Sequence, residues 1–197
     1  MAALLILAVA TGCLLATRIH PFLAPQAATG RGVLIVEGRF SDEYAQDALA
    51  VFRSGRYAGF ITTGGPIHEL SPLAEYGSYA QLSASRLRKL GIESTSIWVV
   101  PAPVVSTDRT RQSAKSVAAW WSRTHREWTH ADLLSVGAHT RRSWLVFESA
   151  LGTQTEVGAI SLEPRGYDAA RWWSTSVGFR TTVGEMLAYI YVKFTGS

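Results

Sequence analysis

The chain has 197 residues, of which 47% are hydrophobic and 17% charged, and it carries a formal net charge of +4 at pH 7. A single domain of this size holds enough apolar material to fold without metals or disulfides. Cys13 is the only cysteine, which excludes an intramolecular disulfide and argues against a cysteine-based metal site. The basic residues are scattered and form no recognition motif, so nucleic acid is not expected as a partner.

Residues 2–16 are almost wholly apolar, and Arg18, His20, Pro21 and Pro25 follow them. About 20 apolar residues cross a bilayer comfortably, so the run is short for a span. It also lacks the positive leading region of a secretory signal. It reads as a short signal-anchor first and a truncated signal peptide second; a buried helix would need apolar cover on every side. Segment 1–20 is therefore expected to associate with a membrane. Residues 21–31, rich in Ala, Pro and Gly, read as a linker, and 32–197 as one folded domain.

From residue 33 the chain alternates short β-like runs with helical patterns. Strands are predicted at 33–37, 60–63, 96–100, 132–136 and 157–162. Helices are predicted at 42–54 (with Ser41 as N-cap), 78–90, 109–126, 140–151 and 177–194. Gly91 and Gly152 sit where helix ends call for a residue free to adopt positive φ. This alternation implies βαβ crossovers: a three-layer α/β/α sandwich on a mainly parallel, Rossmann-like sheet of about five strands.

Polar clusters follow the strands. In an open parallel sheet the carboxyl ends of the strands share one edge, where ligands bind at the reversal of strand order. Thr62-Thr63-Gly64-Gly65 follows the second strand, and its glycines let the backbone turn and aim N–H groups at a ligand. It matches no named nucleotide fingerprint, and a plain strand-to-loop turn is the simpler account. Asp108-Arg109-Thr110 opens a helix, where Asp108 or Thr107 is expected to cap and where phosphate or carboxylate groups bind readily.

His139-Thr140-Arg141-Arg142 lies between the fourth strand and the next helix. His139 there reads as a donor to an anion or a general acid or base, against a purely structural bond to backbone. Arg142 and its neighbour suit an oxyanion. Glu37 and Glu75 are the carboxylates expected at this edge; helix-end electrostatics account for Glu75, and a catalytic-acid or metal role for either is the lesser alternative. Glu185 and Arg180 either pair or reach the crevice. Trp172 and Trp173 stack on a ligand, meet a membrane, or pack under the last helix. Histidine and cysteine pairs at metal-ligand spacing are missing, and no nucleophile elbow occurs, so no metal is assigned and the cofactor stays unknown.

The order Gly64-Gly65, Glu75, Asp108-x-Thr110 and His139-x-x-Arg142 resembles the SanA/ElyC/YdcF-like proteins, a bacterial family, over residues 32–197. Ala114 also falls at a matching place. The resemblance departs at Thr63, Gln112, Ser113 and Ser135-Val136, and the loss of an acid at Gln112 weakens any chemistry that depends on it. It implies a membrane-associated, outward-facing protein of cell-envelope biogenesis. Its ligand would be a phosphate-bearing small molecule or lipid-linked precursor, held by Thr63, Gly64, Gly65, Asp108, Arg109, Thr110 and Arg142, with His139 and Glu75 as catalytic candidates. Three readings stay open: an enzyme acting on that ligand, a non-catalytic sensor or carrier that only binds it, and, last, a membrane-tethered scaffold whose polar loops are solvent-facing turns.

Overall fold

The computed structural model describes Met1 and residues 16–38, 40–125 and 127–196. Residues 2–15, most of the apolar N-terminal run, lie outside the described residues. The fold is the expected three-layer α/β/α arrangement. Five strands run parallel: β2 (Arg31–Glu37), β3 (Arg56–Gly64), β4 (Ile97–Pro101), β5 (His130–Val136) and β6 (Glu156–Leu162). The sheet has six strands rather than about five, because β1 (Gln26–Ala27) adds antiparallel to β6. Two residues in the stretch read as a linker are too few to leave an alternating pattern. The Gln26 side chain fixes them, donating from Nε2 to the Ser161 carbonyl at 2.6 Å.

The strand order is β1-β6-β5-β2-β3-β4. From β2 the chain winds through α2 (Asp42–Ser54) and α3 (Tyr79–Lys89) to β3 and β4, then returns through α4 (Arg109–Thr124) to β5 on the other side of β2. α5 (Thr140–Leu151) leads on to β6, and α6 (Ser176–Thr195) closes the described fold. Connections leave β2 and β5 in opposite directions, so the crevice between them is the switch point where such sheets bind ligands.

The strands bury both faces and therefore read as near-continuous apolar runs. Leu34, Val36, Phe60 and Leu134 pack with Ala48, Ala84 and Leu87 of α2 and α3. Val33, Ile35, Ile61 and Leu133 face Ala114, Val117 and Phe147 of α4 and α5. Ser41 caps α2 as expected, accepting from the Tyr44 N–H at 3.4 Å. α4 stops at Thr124, two residues before the predicted end, where His125 stacks on Trp128 at 3.8 Å beside Trp98 and Trp120. The turn after α4 is thus a packed aromatic edge.

Residues 16–23 are helical (α1) and are held against the end of the molecule that carries α6. The Trp172 indole donates to the Ala16 carbonyl at 2.8 Å, buried His20 meets the Tyr167 hydroxyl at 3.0 Å, and Phe22 packs edge-on to Tyr189 at 5.4 Å. Among the described residues no helix is long and apolar enough to cross a membrane.

Asp132 secures the entry to the sheet. Its buried carboxylate accepts the Thr29 N–H at 2.8 Å, the Gly30 N–H at 2.9 Å and the Tyr57 hydroxyl at 2.6 Å. The facing residue must be glycine, since a Cβ on Gly158 would sit 2.0 Å from Asp132 Oδ1. Removing the acceptor leaves three donors with their burial cost unmet. Asp132→Ala is therefore expected to lower stability by about 3 kcal/mol, a drop in melting temperature of about 6–12 °C for a chain this long. A change under about 1 kcal/mol in denaturant titration would contradict this role for the carboxylate.

Candidate functional site

The site is built where β2 and β5 end side by side. Glu37 is the last residue of β2 and points to the face covered by α4, α5 and α6, where its side chain is only 9% exposed. Beyond β5 the chain makes a 3₁₀ turn, Gly137–His139, and enters α5 directly. His139, Arg142 and Ser143 fall at i, i+3 and i+4 and so share one helical face. That face meets Glu37 on one side and Glu185 of α6 on the other.

The bonds run in sequence. Ser143 Oγ donates to Glu37 Oε2 at 3.0 Å and accepts from His139 Nε2 at 2.9 Å. His139 Nε2 also stands 3.7 Å from Glu37 Oε2. On its other side the ring donates from Nδ1 to Glu185 Oε1 at 2.9 Å. Arg142 grips the same carboxylate, Nε to Oε2 at 2.8 Å and Nη2 to Oε1 at 3.2 Å. Arg142 Nη2 lies 3.0 Å from His139 Nδ1; with Nδ1 protonated, these are two donors converging on one carboxylate oxygen. Thr110, at the start of α4, adds a hydrogen bond to Glu37.

This geometry sets the charges. Burial alone would strip the proton from His139, but its bonds to Glu185 and Glu37 and the charges of both carboxylates outweigh burial and hold it up at about 9. Burial likewise pushes Glu185 up, and the bonds and charges of His139 and Arg142 reverse that and pull it down to about 2. Glu37 is also lowered: desolvation raises it, and His139, Thr110 and Ser143 together overcome the penalty. At neutral pH the network holds two anions and two cations.

Ser143–His139–Glu185 has the connectivity of a nucleophile, a base and an orienting acid. The proton directions oppose that role. The imidazole is already protonated, the serine hydroxyl is spent on Glu37, and Ser143 is fully buried. His139 is a fixed cation whose two N–H groups are both engaged.

A cleft of about 790 Å³ opens over the network. It is lined by Gly64 and Gly65, by Asp108, Arg109 and Thr110, and by His139 and Arg142, together with Glu37 and Glu185. The expected loops thus converge on one edge. Gly64 carries no side chain where it passes Tyr79, to whose Cβ a methyl group would come within 2.9 Å.

Asp108 holds the N-cap position of α4 with φ 54° and ψ 37°, a left-handed conformation that aspartate tolerates. It makes no capping bond to the helix, contrary to the expectation that Asp108 or Thr107 supplies one. Asp108 lines the cleft instead, and its side chain leaves the first N–H groups of α4 uncapped.

Other expected residues lie elsewhere. Thr63 is buried beneath the cleft, its hydroxyl without a hydrogen-bond partner, on the strand position paired with Glu37. Glu75 is exposed on the 3₁₀ turn Ala74–Tyr76, outside the cleft lining. Arg180 is exposed and bonds the Ser176 carbonyl of its own helix, whereas Glu185 reaches the crevice. Trp172 is buried under α6, and Trp173 is half exposed beside it. The sequence reading missed Ser143, although its spacing from His139 on one helix was the available signal. Among the described residues no group of three or more His, Cys, Asp or Glu is placed to hold a metal ion.

Comparison with family models, with curated proteins and with solved structures finds no match to this chain.

The network makes stability depend on pH in a defined way. A histidine raised from 6.5 to about 9 stabilises the fold fully below pH 6.5 and loses that contribution as pH rises through 9. Glu185, lowered from 4.5 to about 2, contributes fully above pH 4.5 and loses it as pH falls toward 2. Stability should therefore be greatest between about pH 4.5 and 6.5 and decline on both sides. His139 is a third exposed, so the alkaline loss is discounted to the order of 1 kcal/mol, about 2–4 °C in melting temperature. His139→Gln should abolish the decline between pH 6.5 and 9; an unchanged slope in the variant contradicts the assignment.

Proposed function

We propose that this chain is a membrane-associated cell-envelope protein of the SanA/ElyC/YdcF-like kind, with its domain facing outward. In this reading it binds a phosphate-bearing small molecule, nucleotide-like or lipid-linked, in the cleft at the carboxyl edge of the sheet. The observation that carries the binding reading is the convergence of Gly64, Gly65, Arg109, Thr110 and Arg142 on one cleft of about 790 Å³. That volume falls within the range of small-molecule sites, and the place is the switch point of the sheet.

Charge arithmetic defines how an anion would be held. Glu37 and Glu185 are balanced within the network by His139 and Arg142. Asp108 and Arg109 offset each other at the cleft mouth. What remains is the positive end of α4, equivalent to about half an elementary charge, and its uncapped N–H groups. Selection would rest on directed donors, as at other helix N-termini that hold phosphate. Arg142, whose Nε and Nη2 grip Glu185, lines the same cleft.

Binding is favoured over turnover by the surroundings of His139. Nδ1 lies 2.9 Å from Glu185 and Nε2 2.9 Å from Ser143, so protein partners occupy both ring nitrogens. The ring, held up at about 9 by the carboxylates, has no lone pair to take a proton at neutral pH. In the proposal His139 holds the cleft wall in place, and the non-catalytic sensor or carrier reading gains accordingly. An enzyme of this family type would need its acid or base from another group.

Isothermal titration of the purified chain with inorganic phosphate, nucleoside phosphates and a polyprenyl phosphate tests the reading. Arg109→Ala should weaken binding of the phosphate compound about tenfold, the worth of one charge-assisted hydrogen bond. Thr110→Val should also weaken it. Equal affinity in wild type and Arg109→Ala, or no binding of any phosphate compound, contradicts the proposal.

A further inference from the structure

α6 breaks the pattern of a surface helix, which turns polar residues outward. Its inner line, including Gly178, Thr182 and Glu185, faces the body of the protein. On the opposite side Leu187, Ile190, Tyr191 and Phe194 recur at i, i+3, i+4 and i+7. They are 62%, 42%, 60% and 85% exposed. Phe179 and Trp173, both about half exposed, continue the apolar surface at the start of the helix. An apolar face of this extent on one helix marks a contact surface, since isolated exposed hydrophobics are scattered.

Three observations select the occupant. First, α1 is fastened to this end of the molecule through Trp172 and Tyr189, so the apolar run 2–15 joins the described fold at Ala16 beside α6. Second, the exposed charges on α1 and α6 are of one sign, while Asp168 at the neighbouring turn is paired with Arg171. Glu185 is the only acidic residue of α6 and it faces inward onto His139 and Arg142, while Arg180, Lys193 and, on α1, Arg18 are exposed. Third, a groove of about 480 Å³ beside the last turn of α6 sets Arg111, Lys115 and Lys193 around Val146, Ala150 and Val192. Cations around an apolar floor fit an anionic head group with its chain. A second copy fits less well, because packing α6 on α6 would bring cations together with no carboxylate on that face to pair with them.

We infer that the outer stripe of α6 lies in the plane of an anionic bilayer, as an interfacial helix. No helix among the described residues is long and apolar enough to span. The inner side of α6 packs on the protein, so its exposed apolar stripe can meet a bilayer only from the surface, with the exposed Arg180 and Lys193 on the same helix. Exposed Trp173 and Tyr191 are the residue types that favour the head-group level. The inference is independent of what the cleft binds.

The test uses the full chain, with Cys13→Ser, reconstituted into vesicles of phosphatidylcholine with and without phosphatidylglycerol. A polarity-sensitive fluorophore is placed by Leu187→Cys, by Phe194→Cys or, as a control on exposed α3, by Lys89→Cys. With brominated acyl chains in the anionic vesicles, emission at 187 and 194 should fall roughly twofold and shift to the blue, as expected for side chains seated at the acyl boundary. Emission at 89 should not change. Labels at 187 and 194 that keep the aqueous spectrum would overturn the inference. So would labels shielded in detergent solution without lipid, whether by a second copy, seen as a dimer in light scattering, or by the chain itself.

Discussion

A single carboxylate organises this end of the molecule. Glu37 ends the central strand β2 and is almost wholly removed from water. An isolated buried carboxylate is among the most costly groups a fold can contain. Its neutralisation needs a cation that approaches closely, and the 3₁₀ turn after β5 delivers His139 to it. The imidazolium then requires a second acceptor, supplied by Glu185 from α6, and Glu185 in turn is held by Arg142. His139, Arg142 and Ser143 come from the start of α5, Glu185 from α6 and Thr110 from α4, so one electrostatic requirement ties β2, α4, α5 and α6 together.

That tie shapes the cleft above it. The network is internally balanced, so it supplies rigidity more than field strength. The donors left facing the cleft are the loop at Gly64 and Gly65, the open end of α4 and the guanidinium groups of Arg109 and Arg142. Buried ion pairs are weak evidence of net stability, because desolvation offsets their attraction. Their value here is positional: the side chains that wall the cleft are held before any ligand arrives, which lowers the ordering cost of binding.

The layers of the fold were legible because the strands are buried on both faces and the helices between them carry clear caps and stops. Ser41 and Gly152 announce their helices in the sequence alone. β1 was not legible, since two residues held by one glutamine side chain leave no periodicity. The edge on which His139, Arg142, Asp108 and Arg109 gather follows from strand ends, and the structure brings them together. Sequence pattern did not reveal how their hydrogens are shared. Glu185 lies 46 residues from His139 and Ser143 lies 106 from Glu37, and no local rule pairs residues at such distances. Glu75 shows the converse: a carboxylate in the right order along the chain ends up exposed on a short turn away from the cleft.

The protonation state of His139 decides the account most directly. Ring nitrogen chemical shifts of selectively labelled histidine, assigned with His139→Gln and followed from pH 5 to 10, report it without reference to ligand or membrane. The network predicts a doubly protonated ring at pH 7.5 that titrates near 9. A neutral ring at that pH, titrating near the ordinary 6.5, would mean that the carboxylates do not hold a cation between them.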